Sequence, residues 1–281
     1  MLSANQRQAL ELMARTIRRH VIEMTWRAQS GHPGGSLSIA EILSVLYFSE
    51  VRYDARQPSA VDRDRVILSK GHAAPALYAA LVEAGFFPRS ELKRLRSIQG
   101  LLEGHPCVSI PGVDVTSGSL GLGLSAGCGI ALAARMTDHD QVRVYVILGD
   151  GELNEGPVWE AAMTAAHFHL DSLVAIVDRN RYQNDGATAD IMGTEPLAQK
   201  WKSFGWNVVE IDGHDVEQVA NAFDCARGMK GRPTVVIAST VKGSGVSYLL
   251  DRPDLHYKAP TTEQKDLSLR ELGFEQGPDD E

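Results

Sequence analysis

Two side chains set the chemical question. Asp150 lies between Gly149 and Gly151 at the end of an apolar run, in VRVYVILGDGELNEG (142–156). Asn180 follows 30 residues later, in DRNRYQNDG (178–186). A carboxylate and a side-chain carbonyl are hard oxygen ligands. They suit Mg²⁺, which takes one or two protein oxygens and fills its octahedron with phosphate oxygens and water. Gly151 lets the backbone approach a phosphate and offers its N–H. A helix starting just beyond would turn its positive end to the same place. Together these spell a Mg²⁺–diphosphate site. Taken alone, GDG is equally a tight turn leading into a helix cap; Asn180, one strand-helix-strand step later, is what favours the cation. Asn184-Asp185-Gly186 reads as a plain turn and carries no chemistry.

Histidines form the second constellation. His32 in SGHPGG, His72 in SKGHAA, His105 in EGHP and His256 in DLHYKAP all fall in loops, three of them beside glycine. One such histidine is ordinarily a solvated loop residue. Four in glycine- or proline-marked loops look like a set that reads hydroxyls or shuttles protons near neutral pH. Zinc is a rival use, but no pair has the close spacing of a zinc site, and Cys107 beside His105 is a weak pair. His139, His167 and His169 flank helices or turns, and His20 belongs to the first helix.

The elements that must position these residues follow from periodicity. Leu10, Met13, Ile17, Val21 and Met24 recur at helical steps within residues 6–29. SIAEILSVLYF (38–48) reads as a second helix with Ser38 as its cap. RVIL (65–68) is a short strand, residues 73–84 a small-residue helix, and LGLGLSAGCGIALAARM (120–136) a helix despite its glycines. That many glycines in a helix imply close packing or a ligand nearby, since each costs about 1 kcal/mol. Beyond this, strands at 142–148, 172–178, 207–212 and 234–240 alternate with helices at 157–168, 195–205 and 215–227. Nearly all-apolar strands separated by helices predict an α/β fold: a doubly wound parallel sheet with helices on both faces. Ligands of such sheets bind at the carboxyl ends of the strands. There lie GDG, DRNRYQNDG and VKGSG (241–245), the last bringing Lys242. Residues 1–265 are expected to form one domain and 266–281 a polar, acidic tail whose end, FEQGPDDE, frays.

Composition narrows the partners. Among 281 residues, 43% are hydrophobic and 23% charged, enough for a sizeable core, and the net charge is -8. No basic run exceeds Arg18-Arg19, which argues against nucleic acid. The amphipathic start lacks the apolar core of a signal peptide, and no apolar stretch nears the ~20 residues of a membrane span. Cys107, Cys128 and Cys225 have neither disulfide nor zinc spacing and are expected to be small buried thiols in a reducing cytoplasm.

SGHPGGSLSIAEIL, DRVILSKGHAAPALYAAL, GHP, SGSLGLGLSAGCGIA, GDGELNEGPVWEA, DGHD and TVKGSG with LHYKAP stand in this order, from about Arg15 to Pro260, and the chain thereby resembles the transketolase family. The resemblance implies a thiamine-diphosphate-binding fold and transfer of a two-carbon ketol unit from a ketose phosphate to an aldose phosphate. It implies that Asp150 and Asn180 bind Mg²⁺ with the Tyr182 carbonyl, and that Gly149 and Gly151 adjoin the diphosphate. His72, Lys242 and His256 would lie near the diphosphate and the reacting carbons. Gly118, Ser119 and Leu120 would line the aminopyrimidine side, with Ser119 departing from the GPLG of many members. His105 would bond the donor sugar's terminal hydroxyl, His32 would sit near its reacting hydroxyls, and Glu155 would link two active sites across a dimer. A full transketolase is more than twice as long. The resemblance is therefore to the amino-terminal subunit of a split enzyme, expected in an α2β2 assembly. Its partner chain would carry the pyrimidine-binding domain and the activating glutamate. Three alternatives share the motifs: a split enzyme for a sulfo- or branched sugar, a deoxyxylulose-phosphate-synthase-like or ketoacid-dehydrogenase-like enzyme, and a non-catalytic scaffold. The four histidines and LHYKAP weigh against the second, the intact ligand set against the third.

Overall fold

The structure is a computed structural model describing residues 1–274. The chain opens with helix α1 (Ala4–Ala28), started by a reciprocal capping box between Ser3 and Gln6. Its apolar stripe, Leu10, Ile17, Val21 and Met24, is buried. Then come α2 (Pro33–Leu37), α3 (Ala40–Val45) and one turn of π-helix (Leu46–Glu50). The expected cap at Ser38 is not made: Ile39 occupies that position without a side-chain bond. Ser38 is fully buried and its hydroxyl donates to Asp178 at 2.8 Å instead. A buried carboxylate costs more than a neutral backbone amide when left without donors, so the serine goes to Asp178.

Strand β1 (Arg65–Leu68) leads to α4 (Ala74–Glu83) and, after a long loop, α5 (Gly123–Met136). β2 (Val144–Gly149), α6 (Gly156–His167) and β3 (Leu173–Arg179) follow, then a two-residue ribbon of β4 (Tyr182–Gln183) and β5 (Gly186–Ala187) that turns through Asn184-Asp185. The chain continues through α7 (Thr188–Ile191), α8 (Leu197–Ser203), β6 (Asn207–Asp212), α9 (Val216–Gly228), β7 (Thr234–Ser239) and α10 (Thr262–Glu271). The five long strands form one parallel sheet in the order β1-β2-β3-β7-β6. It is the doubly wound α/β sandwich that the alternation predicts. Alternate residues of each apolar strand feed two cores. Tyr145, Ile147, Val174, Ile176 and Val236 pack with α1, α3, α4 and α9. Val144, Val146, Leu148, Ala175, Val177 and Ile237 pack with α5, α6 and α8. Burial on both faces is why these strands read as continuous apolar runs.

Helix α5 begins at Gly123, three residues later than the sequence pattern implies, so residues 118–122 remain a loop. Two of its glycines meet the expectation of close packing: a Cβ at Gly123 would fall 2.4 Å from Ser69, and one at Gly127 2.6 Å from Val146. Gly129 faces open space. The boundary expected after residue 265 falls inside α10, whose Leu269 is buried and which rests against α1. The fraying expected of residues 275–281 lies outside the described residues. All three cysteines are free, but only Cys128 is buried. Cys107 is half-buried and Cys225 looks outward from α9, so the expectation of three buried thiols fails. No helix among the described residues is long and apolar enough to cross a membrane.

Candidate active site at the carboxyl edge of the sheet

The site grows from the ends of β1, β2, β3 and β7. Gly149 of β2 pairs with Asp178 of β3, so the residues just beyond meet. Asp150 is buried; one oxygen accepts from the Gly151 N–H at 2.9 Å and the other from the Arg181 N–H at 2.6 Å. Asn180 is buried next to it, its carbonyl accepting from Tyr182 N–H at 3.0 Å and its amide donating to Asp178 at 2.7 Å. Burial, followed by the like charge of Asp178, raises the Asp150 carboxyl to about 7. Among the described residues no cationic side chain pairs directly with this carboxylate. Two hard oxygens on adjacent strand ends, each with a lone pair to spare, fit Mg²⁺.

The residues that support this pair have no motif of their own in the sequence. Asp178, wholly buried, accepts from Ser38, Asn180, Thr240 and the Lys70 ammonium. Burial alone would raise its carboxyl, but Lys70 and the other donors hold it below the ordinary carboxylate range. Lys70, also buried, donates to the Gly35 carbonyl at 2.8 Å. Glu152 gathers the Gly121 and Gly149 N–H groups at 2.8 and 2.9 Å, together with the Ser69 hydroxyl. One signal for Asp178 was present: a charge closing an otherwise apolar strand. Lys70 and Glu152 each sit beside motif glycines, whose signal is stronger than theirs.

Three of the four predicted histidines converge. His32, His72 and His256 have ring centroids 5.2 to 5.4 Å apart in every pairing. Lys242 is buried, its ammonium donating to His256 Nδ1 at 2.8 Å and standing 5.8 Å from the Tyr182 ring centre. Among the described residues no carboxylate pairs with Lys242, and burial, then Lys70, lowers it to about 8. Burial, reinforced by neighbouring positive groups, lowers His32 to about 4, His256 to about 3 and His72 well below its ordinary value. All three imidazoles are therefore neutral at pH 7. His32 Nδ1 and Gln183 Oε1 are buried without hydrogen-bond partners among the described residues. A cradle that, among the described residues, has an ammonium with no carboxylate partner, a carboxylate with no cationic partner and two polar atoms without hydrogen bonds fits an anion carried on a cation.

His105 stands apart from the trio, exposed, with its ring 3.5 Å from where a Cβ on Gly118 would lie. Gly118, Ser119 and Leu120 are exposed at the rim. Glu155, exposed at the start of α6, packs on Gly121, where φ is +87° and a Cβ would lie 2.6 Å from Glu155 Cβ. Only glycine meets both demands there. Tyr182 donates its N–H to Asn180, and Gly151 lies against the ribbon, where a Cβ on it would press on Gln183 at 2.9 Å. His214, another residue without an assigned role, accepts from the Val241 N–H at 2.9 Å.

Comparison with known proteins agrees with this geometry. Residues 9–279 match the family model described as transketolase, thiamine diphosphate binding domain. The chain is 40% identical to one of the subunits of the apulose-4-phosphate transketolase of Phocaeicola vulgatus, covering 95% of each chain. It is 42% identical to the 6-deoxy-6-sulfo-D-fructose transketolase subunit of a Clostridium species, covering 96% of this chain and 98% of that one. The solved transketolase of Campylobacter jejuni superposes with a TM-score of 0.90 at 30% identity, over 95% of this chain but only 43% of that one. The chain thus spans less than half the length of that solved transketolase. On the parallel sheet, the ordered motifs and these matches together, the chain belongs to the transketolase family, as its thiamine-diphosphate-binding domain.

Proposed function

We propose that this chain is the diphosphate-binding subunit of a two-chain ketol transferase that moves a two-carbon unit from a ketose phosphate to an aldose phosphate. The observation that carries this is the convergence of three neutral histidines and an unpaired lysine beside the Asp150–Asn180 pair. Asp150 and Asn180, with the Tyr182 carbonyl, would hold Mg²⁺. Lys242, His72, Gly149 and Gly151 would hold the diphosphate. Thiamine diphosphate, when bound, supplies a place for the electron pair left when the sugar's carbon–carbon bond breaks. The chain's own residues bind, orient and handle protons. His256 accepts from the Lys242 ammonium at Nδ1, so its Nε2 carries a proton to donate. His32, neutral with Nδ1 unpartnered among the described residues, would accept a hydrogen bond from a sugar hydroxyl. His105 at the rim would meet the donor's terminal hydroxyl, and Gly118, Ser119 and Leu120 the aminopyrimidine side. Glu155 would face a second copy.

The pyrimidine-binding domain and its activating glutamate would come from a partner chain, in an α2β2 assembly working in the cytoplasm. Relatives that this chain matches nearly end to end are named as subunits, which supports that division. Their names also favour a second reading of the substrate, an unusual sugar in place of a common ketose phosphate.

The test is a titration of thiamine diphosphate and Mg²⁺ into the chain with and without its partner, followed by a ketose panel. The panel includes xylulose 5-phosphate, apulose 4-phosphate and 6-deoxy-6-sulfo-D-fructose. Turnover only with the partner and both cofactors is expected. No cofactor uptake by the pair, as a scaffold would show, overturns the reading. So does robust turnover by the chain alone.

A further inference from the structure

Glycine-flanked His214 lies in the turn after β6, remote in sequence from every motif histidine of the site. Its Nε2 accepts the Val241 N–H at 2.9 Å, so the ring proton is on Nδ1, which donates to Glu41 at 3.0 Å. Glu41 is buried in α3 and is gripped by both terminal nitrogens of Arg18 in α1, at 2.6 and 2.7 Å. The turn itself is fixed: Gly213 N–H donates to Ser239 at 2.8 Å, and His214 N–H to Asp212 at 2.9 Å. A side chain at Gly213 would strike Thr240 at 2.5 Å.

The target of this chain of bonds is specific. The last ladder bond of β7 is from the Thr240 N–H to Arg179, at 3.2 Å. Beyond it β3 has ended and the Val241 N–H has no strand partner, so His214 supplies the next rung. Thr240 is tied on the other side to Asp178, and Lys242 follows immediately. Val241 is exposed, so without His214 its N–H would turn to water and the peptide ahead of Lys242 would lose the bond that fixes its orientation. The direction of the Lys242 side chain depends on that peptide.

We propose that His214 is a positioning residue: through the Val241 N–H it aims Lys242 into the anion cradle, with Glu41 and Arg18 fixing its tautomer and ring. The proposal rests on Lys242 meeting the diphosphate. Outer partners that orient a binding group commonly contribute about ten- to a hundredfold in affinity. The same is expected here, without His214 touching the ligand.

The experiment uses the full chain with its partner and measures the thiamine diphosphate Kd in Mg²⁺, the thermal midpoint, and kcat and KM. The variants are His214→Ala, His214→Gln, Lys242→Met and the Ala/Met double. His214→Ala should weaken binding by roughly tenfold or more, and His214→Gln, whose amide oxygen can accept from Val241, should recover most of it. Lys242→Met should weaken binding, and adding His214→Ala to it should change the Kd little further. A purely structural role would lower the midpoint and add its loss to that of Lys242→Met. Should His214→Ala not fold, His214→Leu, which fills the turn but offers no acceptor to Val241, against the double His214→Leu/Lys242→Met reads the same coupling. Additive losses, or unchanged affinity in His214→Ala beside a weakened Lys242→Met, overturn the proposal alone. Unchanged affinity in Lys242→Met overturns the proposal and the assignment of the anion cradle together.

Discussion

Replacing Lys70 by Met should destabilise the chain strongly. Lys70 and Asp178 are respectively 1% and 0% exposed and paired at 2.5 Å. Removing one member of a buried pair leaves an uncompensated charge and costs about 3–5 kcal/mol. Asp178 keeps Ser38, Asn180 and Thr240 as donors, which pulls the cost toward the lower end. The Gly35 carbonyl loses its donor, which pushes it back up. For a chain of this size that cost lowers the melting midpoint by roughly 6–20 °C. The assay is a double-mutant cycle by calorimetry with Lys70→Met, Asp178→Asn and the pair. With Asp178 already neutral, no charge is left unpaired, so Lys70→Met should cost about 2 kcal/mol less in that background. The pair also orients Asn180 through Asp178, so Mg²⁺ affinity should fall alongside stability. A midpoint within about 2 °C of the parent for Lys70→Met, or losses additive to within about 0.5 kcal/mol, refutes the reasoning.

Asp150 gives the opposite sign. Its pKa of about 7 lies above the ordinary 3.8, so ionising it costs the metal-free fold stability as pH rises between those values. Asp150→Asn should therefore stabilise the metal-free chain at pH 7.5 while abolishing the Mg²⁺ dependence of thiamine diphosphate binding; urea midpoints with and without Mg²⁺ check both. The three active-site histidines have lowered values, so stability is full above pH 6.5 and is lost as pH falls toward about 4. The triple variant His32→Gln, His72→Gln, His256→Gln should flatten that acid limb in a pH series of midpoints. His20 behaves differently again: burial would lower it, but bonds to Glu23 and Glu83 hold it above 6.5. Its contribution is present below pH 6.5 and lost as pH rises through the raised value, so His20→Gln should cost most near about pH 6 and least near about pH 9.

Much of this was legible because the signals are local. A strand buried on both faces must be apolar throughout, and RVIL and TVVIAS were. A loop that approaches a ligand or turns sharply needs glycine, and the glycines flagged His32, His72 and Asp150. What stayed hidden depends on distance along the chain. Lys70 and Asp178 are 108 residues apart, and His214 and Glu41 are 173 apart. Neither pair leaves a spacing to recognise. Ser38 looked like a cap because a serine before a helical run usually is one; the demand of Asp178 for donors was invisible. Helix α10 was missed although Thr261-Thr262-Glu263-Gln264 is a legible capping box, because so little of its face is apolar.

The charges of the site make sense only as half of a circuit. Asp178 is fully neutralised from within the chain, by Lys70 and three neutral donors. Among the described residues Asp150, a strand away, receives only two backbone N–H groups, and Lys242 receives no carboxylate. A fold selected for stability alone would not bury both an unpaired acid and an unpaired base so near each other without joining them. Joined, they would cancel and leave nothing to capture a ligand. Kept apart, each would be discharged, on the proposed reading, by the opposite pole of a cation–diphosphate: Mg²⁺ on Asp150, phosphate oxygens on Lys242. Lys70 is hydrogen-bonded to Asp178, and its charge only partly offsets the burial of Asp150. The buried pair that the sequence concealed thus accounts for the one carboxylate of the site that is charge-paired among the described residues.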